Sequence, residues 1–167
     1  DKAVFGLGLP ILGICYGHQL IAYELGGKVK AGRNREYGPA EIKITKANPL
    51  LSGLPKNQRV WMSHGDQVTK LPKGFIATAS SANCPVAAFA DAKRKIYGLQ
   101  FHPEVAHTQY GMEILQRFVK LTGAKKSWSM QDFVKKQIAK IKAEIGPEAH
   151  AICALSGGVD SAVAATI

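Results

Sequence analysis

The first apolar run, Leu9-Pro10-Ile11-Leu12, has the length of a short buried strand, and Leu20 to Leu25 reads as a helix closed by Gly26-Gly27. Pro39 to Thr45 alternates in polarity, which predicts a half-exposed strand, and Asn48 to Pro55 is loop punctuated by prolines. Val60-Trp61-Met62 predicts a short strand running into a polar turn, Ser63-His64-Gly65-Asp66, a natural place for ligand contacts. Phe75 to Ser80, Val86 to Ala90 and Ile96 to Phe101 are β-like runs, the last two joined by a charged hairpin connection over Asp91 to Lys95. The period then changes. Ile114, Leu115, Phe118, Val119 and Leu121 form one helical face within Gly111 to Leu121, with Gly123 as the stop. After a linker at Ala124 to Trp128, Ser129 and Asp132 make a capping box. Val134, Ile138, Ile141 and Ile145 then form a stripe opposite Lys135, Lys136, Lys140 and Lys142. Gly146-Pro147 ends that helix, Ala149 to Leu155 predicts an apolar strand opening a second unit, and Ala162 to Ala165 is helical again. Strands alternating with helices, around a β-rich middle, predict an α/β fold with an open, mostly parallel sheet and flanking helices.

Composition narrows this picture. The 167 residues suffice for one full core, or one domain and part of another. The chain opens at Asp1 without Met and closes inside a helical pattern, so both ends are expected to be truncated. A formal net charge of +10 favours anionic partners such as nucleotides, although a solvated basic face accounts for it as well. The basic residues are scattered, with no aromatic platform between them, which argues against nucleic-acid binding. With no apolar run long enough to span a bilayer and no signal-peptide pattern, a soluble cytoplasmic protein that binds no membrane is expected. Cys15, Cys84 and Cys153 are far apart and odd in number, which points to reduced thiols rather than a disulfide framework or a zinc site.

Three stretches carry chemistry. In Gly13-Ile14-Cys15-Tyr16-Gly17-His18-Gln19, glycines flank a cysteine at a strand-to-helix junction, the spacing of a nucleophile elbow. The helix start there favours thiolate, and the Tyr16 N–H would meet a developing oxyanion. In Gln100-Phe101-His102-Pro103-Glu104, Pro103 predicts an extended backbone that turns His102 and Glu104 to one side, a base with a group to orient it. His107, His18 and His150 lack such a partner. In Ser156-Gly157-Gly158-Val159-Asp160-Ser161, glycines between strand and helix free backbone N–H groups to grip phosphate, without the Lys of a Walker loop.

The elbow with Phe-His-Pro-Glu resembles the class I glutamine amidotransferases, and Ser-Gly-Gly-Val-Asp-Ser resembles the pyrophosphate loop of the N-type ATP pyrophosphatases. Their order and spacing resemble the family of glutamine-hydrolysing GMP synthases, from about Leu9 onward. That resemblance implies an amidotransferase domain over 1–123 lacking its N-terminal part, a linker and connecting helix over 124–148, and the start of an ATP pyrophosphatase domain over 149–167. It implies Cys15 as nucleophile, His102 as base and later acid, and Glu104 as the group that orients it. Tyr16 would be an oxyanion donor, with Gln19, Ser63, His64, Gly65 and Asp66 near glutamine. Ser156, Gly157, Gly158, Val159, Asp160 and Ser161 would hold the pyrophosphate of ATP. The complete enzyme would use ATP and Mg2+ to aminate xanthosine monophosphate to GMP, as a homodimer, whereas the glutaminase step needs no cofactor.

Two departures stand against that family. The second oxyanion donor comes from a glycine-bearing loop on earlier strands, which nothing before Asp1 supplies, and His18 stands where Met is more usual. The chain alone is therefore expected to hydrolyse glutamine poorly. Alternatives are another amidotransferase coupled to an ATP pyrophosphatase, or a silent binding module. NAD synthetase is disfavoured, because its glutaminase resembles nitrilases.

Overall fold

A computed structural model describes residues 2–125, 129–146, 150 and 152–166, and the chain divides into two compact units, Asp1–Ala124 and Lys125–Ile167. In the first unit a 3-10 turn over Lys2–Gly6 precedes β1 (Ile11–Ile14), α1 (Tyr16–Glu24), β2 (Lys28–Ile44), β3 (Asn57–Lys70), β4 (Ile76–Ser81), β5 (Ala88–Asp91), β6 (Ile96–Leu99) and α2 (Gly111–Thr122). The strands form a six-stranded sheet in the order β1-β6-β5-β4-β2-β3.

The sheet is mixed, which corrects the expectation of a mostly parallel one. Only β1 and β6 run parallel among the described residues, with Gly13 opposite Gly98 and Ile14 opposite Leu99. The β2–β3, β2–β4, β4–β5 and β5–β6 pairs are antiparallel. The cause lies in the connections. Parallel neighbours need a long crossover, and short links such as Ala92 to Lys95 between β5 and β6 permit only a hairpin.

Two further expectations change. Ser63 to Asp66 is not a turn but lies inside β3, where Ser63 pairs with Tyr37 and His64 with Glu36. The irregularity falls on the partner strand instead, as a register shift between Ala31 and Glu36. Pro103 and Glu104 form a turn rather than an extended segment.

Two apolar clusters hold the unit. One centres on Ile42, Met62, Tyr97, Leu99, Phe101 and Ile114, and the other on Ile21, Ala22, Val68, Phe89 and Ile96 beneath α1. A row across three strands seats α1. Gly13 lies beside Gly98, and Gly98 beside Phe89. A methyl at Gly98 would stand 2.3 Å from the Phe89 ring, and one at Gly13 would stand 2.5 Å from both the Gly17 backbone and the Ile21 side chain. Both glycines are therefore spaces that the ring and the helix fill. Gly17, the elbow's other glycine, faces no atom within 4 Å, so close approach constrains the elbow on one side only.

The second unit holds α3 (Met130–Ile145) and α4 (Val159–Thr166), neither with a buried residue. Ser129 caps α3 by accepting the Asp132 N–H, as its capping box predicts. The strand expected over Ala149 to Leu155 is absent from its described residues: 150 and 152–155 are irregular, with Ile152 99% exposed, and 149 and 151 lie outside the described residues. A strand needs a neighbour to satisfy its backbone, and the described residues of the second unit form no strand.

Candidate active site

Cys15 lies between β1 and α1, at φ 51 and ψ −105. A non-glycine residue at positive φ is strained, and such strain persists only where surrounding contacts enforce it. They do so here. The Cys15 N–H donates to the Leu99 carbonyl at 2.8 Å, extending the β1–β6 ladder by one bond, while α1 begins at the next residue. The parallel pairing also brings the carboxyl ends of β1 and β6 together, so the elbow and the His102 segment leave the sheet side by side.

His102 is held from both sides of its backbone. Its N–H donates to the Trp61 carbonyl at 2.9 Å, and its carbonyl accepts from the Thr108 hydroxyl at 2.5 Å. That hydroxyl also accepts the Trp61 N–H, so the turn after β6 docks along β3. The imidazole Nδ1 lies 2.6 Å from Glu104 Oε1. A carboxylate accepts, so Nδ1 carries the proton and Nε2 keeps a free lone pair. Nε2 is buried and has no hydrogen-bond partner among the described residues. The orienting contact expected between positions 102 and 104 therefore forms, through a turn.

The Cys15 sulfur is half-buried and donates to the Ser63 carbonyl at 3.4 Å. Burial pushes its pKa up, the Tyr16 N–H pulls it down, the Glu104 charge raises it and the Gln100 amide lowers it, leaving the thiol above its ordinary range. The helix start therefore does not yield a resting thiolate, because desolvation outweighs it. The Tyr16 N–H does reach the sulfur.

Gln19 donates to the Asp66 carbonyl at 2.8 Å and to Gln100 Oε1 at 3.1 Å. Ser63 and Asp66 face solvent, whereas His64 is buried with both ring nitrogens engaged. Any ligand contact by His64 would use its backbone. Gln100, Thr108 and Glu36 escaped the sequence reading. Gln100 carried a usable signal, since it precedes His102 by two positions, and alternation puts both on one side of a strand.

In the second unit, Gly157 has φ +81, the Ser156 and Ser161 hydroxyls lie 3.1 Å apart, and Ser161 donates to the Gly158 carbonyl at 2.9 Å where α4 begins. Exposed hydroxyls and the unpaired N–H groups of a helix start are a donor set suited to phosphate oxygens. Among the described residues no helix is long and apolar enough to cross a membrane.

The profile of the family described as glutamine amidotransferase class-I matches residues 1–121. The glutamine-hydrolyzing GMP synthase of Limosilactobacillus reuteri is 54% identical over 169 residues, an alignment that covers 100% of this chain and 32% of that protein. Its counterpart in Geobacillus kaustophilus is 52% identical over 168 residues, covering 100% of this chain and 33% of the relative. The chain thus spans about a third of the length of the curated relatives it matches. Among solved structures, a Thermoplasma acidophilum protein described as one of the subunits of a GMP synthase superposes with a TM-score of 0.70 at 36% identity, covering 83% of this chain and 65% of that one.

Proposed function

Since the chain belongs to the class I glutamine amidotransferases, we propose that it carries the site at which the complete protein hydrolyses glutamine to glutamate and ammonia through a thioester on Cys15, a reaction the chain alone performs poorly. The observation that carries this reading is the parallel β1–β6 pair, which puts a strained cysteine and a histidine bonded to a carboxylate at the same sheet end. His102 Nε2 takes the thiol proton as the sulfur attacks the side-chain amide carbon, and the Tyr16 N–H meets the oxyanion. His102 then passes the proton to the departing ammonia, and afterwards activates the water that cleaves the thioester. Glu104 keeps the imidazole in the tautomer with Nε2 free. Gln19 and the Ser63, Gly65 and Asp66 edge of β3 bind the substrate.

Similarity to GMP synthases along the whole chain supports a wider role for the protein that carries it. There the ammonia aminates xanthosine monophosphate to GMP in an ATP-dependent step. The Ser156 to Ser161 loop, Asp160 included, would hold the pyrophosphate of ATP with its hydroxyls and the N–H groups of Gly157, Gly158 and Val159. ATP bound there supplies adenylation of the purine acceptor. On this reading the domains divide near 123 and 149, and the complete protein is a homodimer.

The test is labelling of Cys15 by a glutamine-analogue electrophile, read by peptide mass spectrometry. Labelling is expected at Cys15, lost in Cys15→Ala and reduced about a hundredfold or more in His102→Ala. Exposed Cys153 is the internal reference, since Cys84 is fully buried. Equal labelling of Cys15 and Cys153 would instead identify a silent binding module.

A further inference from the structure

Beneath the elbow lies a buried group that the glutaminase reading leaves unused. His64 Nδ1 lies 2.9 Å from the Asp66 carbonyl and Nε2 lies 3.0 Å from Glu36 Oε2. The two side chains are 3% and 8% exposed. A carbonyl only accepts, so Nδ1 donates to it, and Nε2 faces the Glu36 carboxyl. Ser81 donates its hydroxyl to Glu36 at 2.9 Å and accepts the Cys84 N–H, which anchors the carboxyl from its far side. Cys84 completes a cluster with His64 and Glu36. Burial and the Glu36 charge push its thiol up to about 12.

Beside this anchor, hydrogen bonding sets the direction of two side-chain amides, Gln19 and Gln100. The Asp66 carbonyl takes its second bond from Gln19, so Gln19 must turn its NH2 inward. The other N–H of that NH2 donates to Gln100 Oε1, which in turn leaves the Gln100 NH2 facing the Cys15 sulfur, 3.9 Å away. We propose that Glu36 and His64 are positioning residues at the fixed end of this relay, and that Gln100 is its working end, an oriented donor that stabilises the thiolate of Cys15. The proposal rests on Cys15 being the nucleophile. The other charged group that acts on the sulfur is Glu104, bonded to His102, while Cys84 and His18 stand near the anchor.

The experiment is the pH profile of Cys15 alkylation by iodoacetamide, read peptide by peptide on the whole chain. Gln100→Leu and Gln19→Leu are each expected to move the midpoint up by about half a pH unit or more, which slows alkylation about threefold near neutral pH. Glu36→Ala moves it the same way. Loss of a carboxylate's negative field cannot raise the midpoint, so an upward shift separates relay from field. Glu36→Gln restores the wild-type profile, because its amide can donate to a neutral His64 that still holds Asp66. Profiles of Gln100→Leu and Gln19→Leu that superpose on wild type overturn the relay, as does Glu36→Gln shifting as far as Glu36→Ala. If Glu36→Ala does not fold, the two glutamine variants decide the matter. Labelling of wild-type Cys15 by the glutamine analogue is a separate measurement, so failure of the glutaminase reading is told apart from failure of the relay.

Discussion

The elbow at Cys15 and the loop at Ser156 to Ser161 are both glycine-bearing junctions leading into a helix, yet they are held in opposite ways. The elbow's strain is enforced by residues distant in sequence: Leu99 on its N–H, Ser63 and Gln100 at its sulfur, and α1 pressed onto the Gly13–Gly98 row. The hydrogen bonds that join Ser156, Gly158 and Ser161 span five residues or fewer, and their surroundings are exposed. The first site is preorganised by its core, whereas the geometry of the second is local. The same residue type therefore carries different energetic weight at the two places.

The largest way to break the contrast is Gly13→Ala. A methyl 2.5 Å from the Gly17 backbone must lift α1 from the sheet, with an expected cost of about 2 kcal/mol or more, as for overpacking. Calorimetry should show a lowered Tm for the first unit, and Cys15 labelling should fall with it.

His18 probes the same seat chemically. It is fully buried against Phe89 at 4.4 Å, and burial pushes its pKa down to about 3. A depressed pKa gives stability that is full above the unfolded value of 6.5 and lost as pH falls toward the folded value near 3. Across that window the first unit should weaken by about 1.4 kcal/mol per pH unit on account of this group. His18→Met should flatten the slope in urea titrations over that range, and an unchanged slope would refute it.

Smaller effects belong to the second unit. Ser129→Ala removes the N-cap of α3 and should cost about 1 kcal/mol of helix stability, read as lost far-UV helicity with the first unit's melt unmoved. Gly157→Ala, at φ +81 with nothing within 4 Å, should cost about 1 kcal/mol locally and leave the melt of the first unit unchanged. A shift of that melt would show that the second loop is also held by the core.

Much of this was legible in the residues. The cysteine between two glycines marked the elbow, Ser129 with Asp132 marked the α3 start, and His102 with Glu104 met as a pair. Each depends on neighbours a few positions away, and such short-range rules survive without knowledge of the fold. The misjudged segments depend on remote partners. Ser63 to Asp66 looks like a turn by composition, but Ala31 and Glu36 to Tyr37 pair with it across the sheet and draw it into a ladder. Ala149 to Leu155 looks like a strand by its apolar run, but its described residues are irregular, and an apolar run by itself makes no ladder.

By itself the sequence determined which atoms could react and where the chain must bend sharply, because glycine spacing and side-chain chemistry act within a few bonds. The tertiary structure alone decided that β1 lies beside β6, that most of the sheet is antiparallel, and that Gln100 turns its amide toward the sulfur. Those outcomes come from strand pairing and hydrogen-bond direction among groups up to 85 positions apart, whose energies exist only once the sheet has closed.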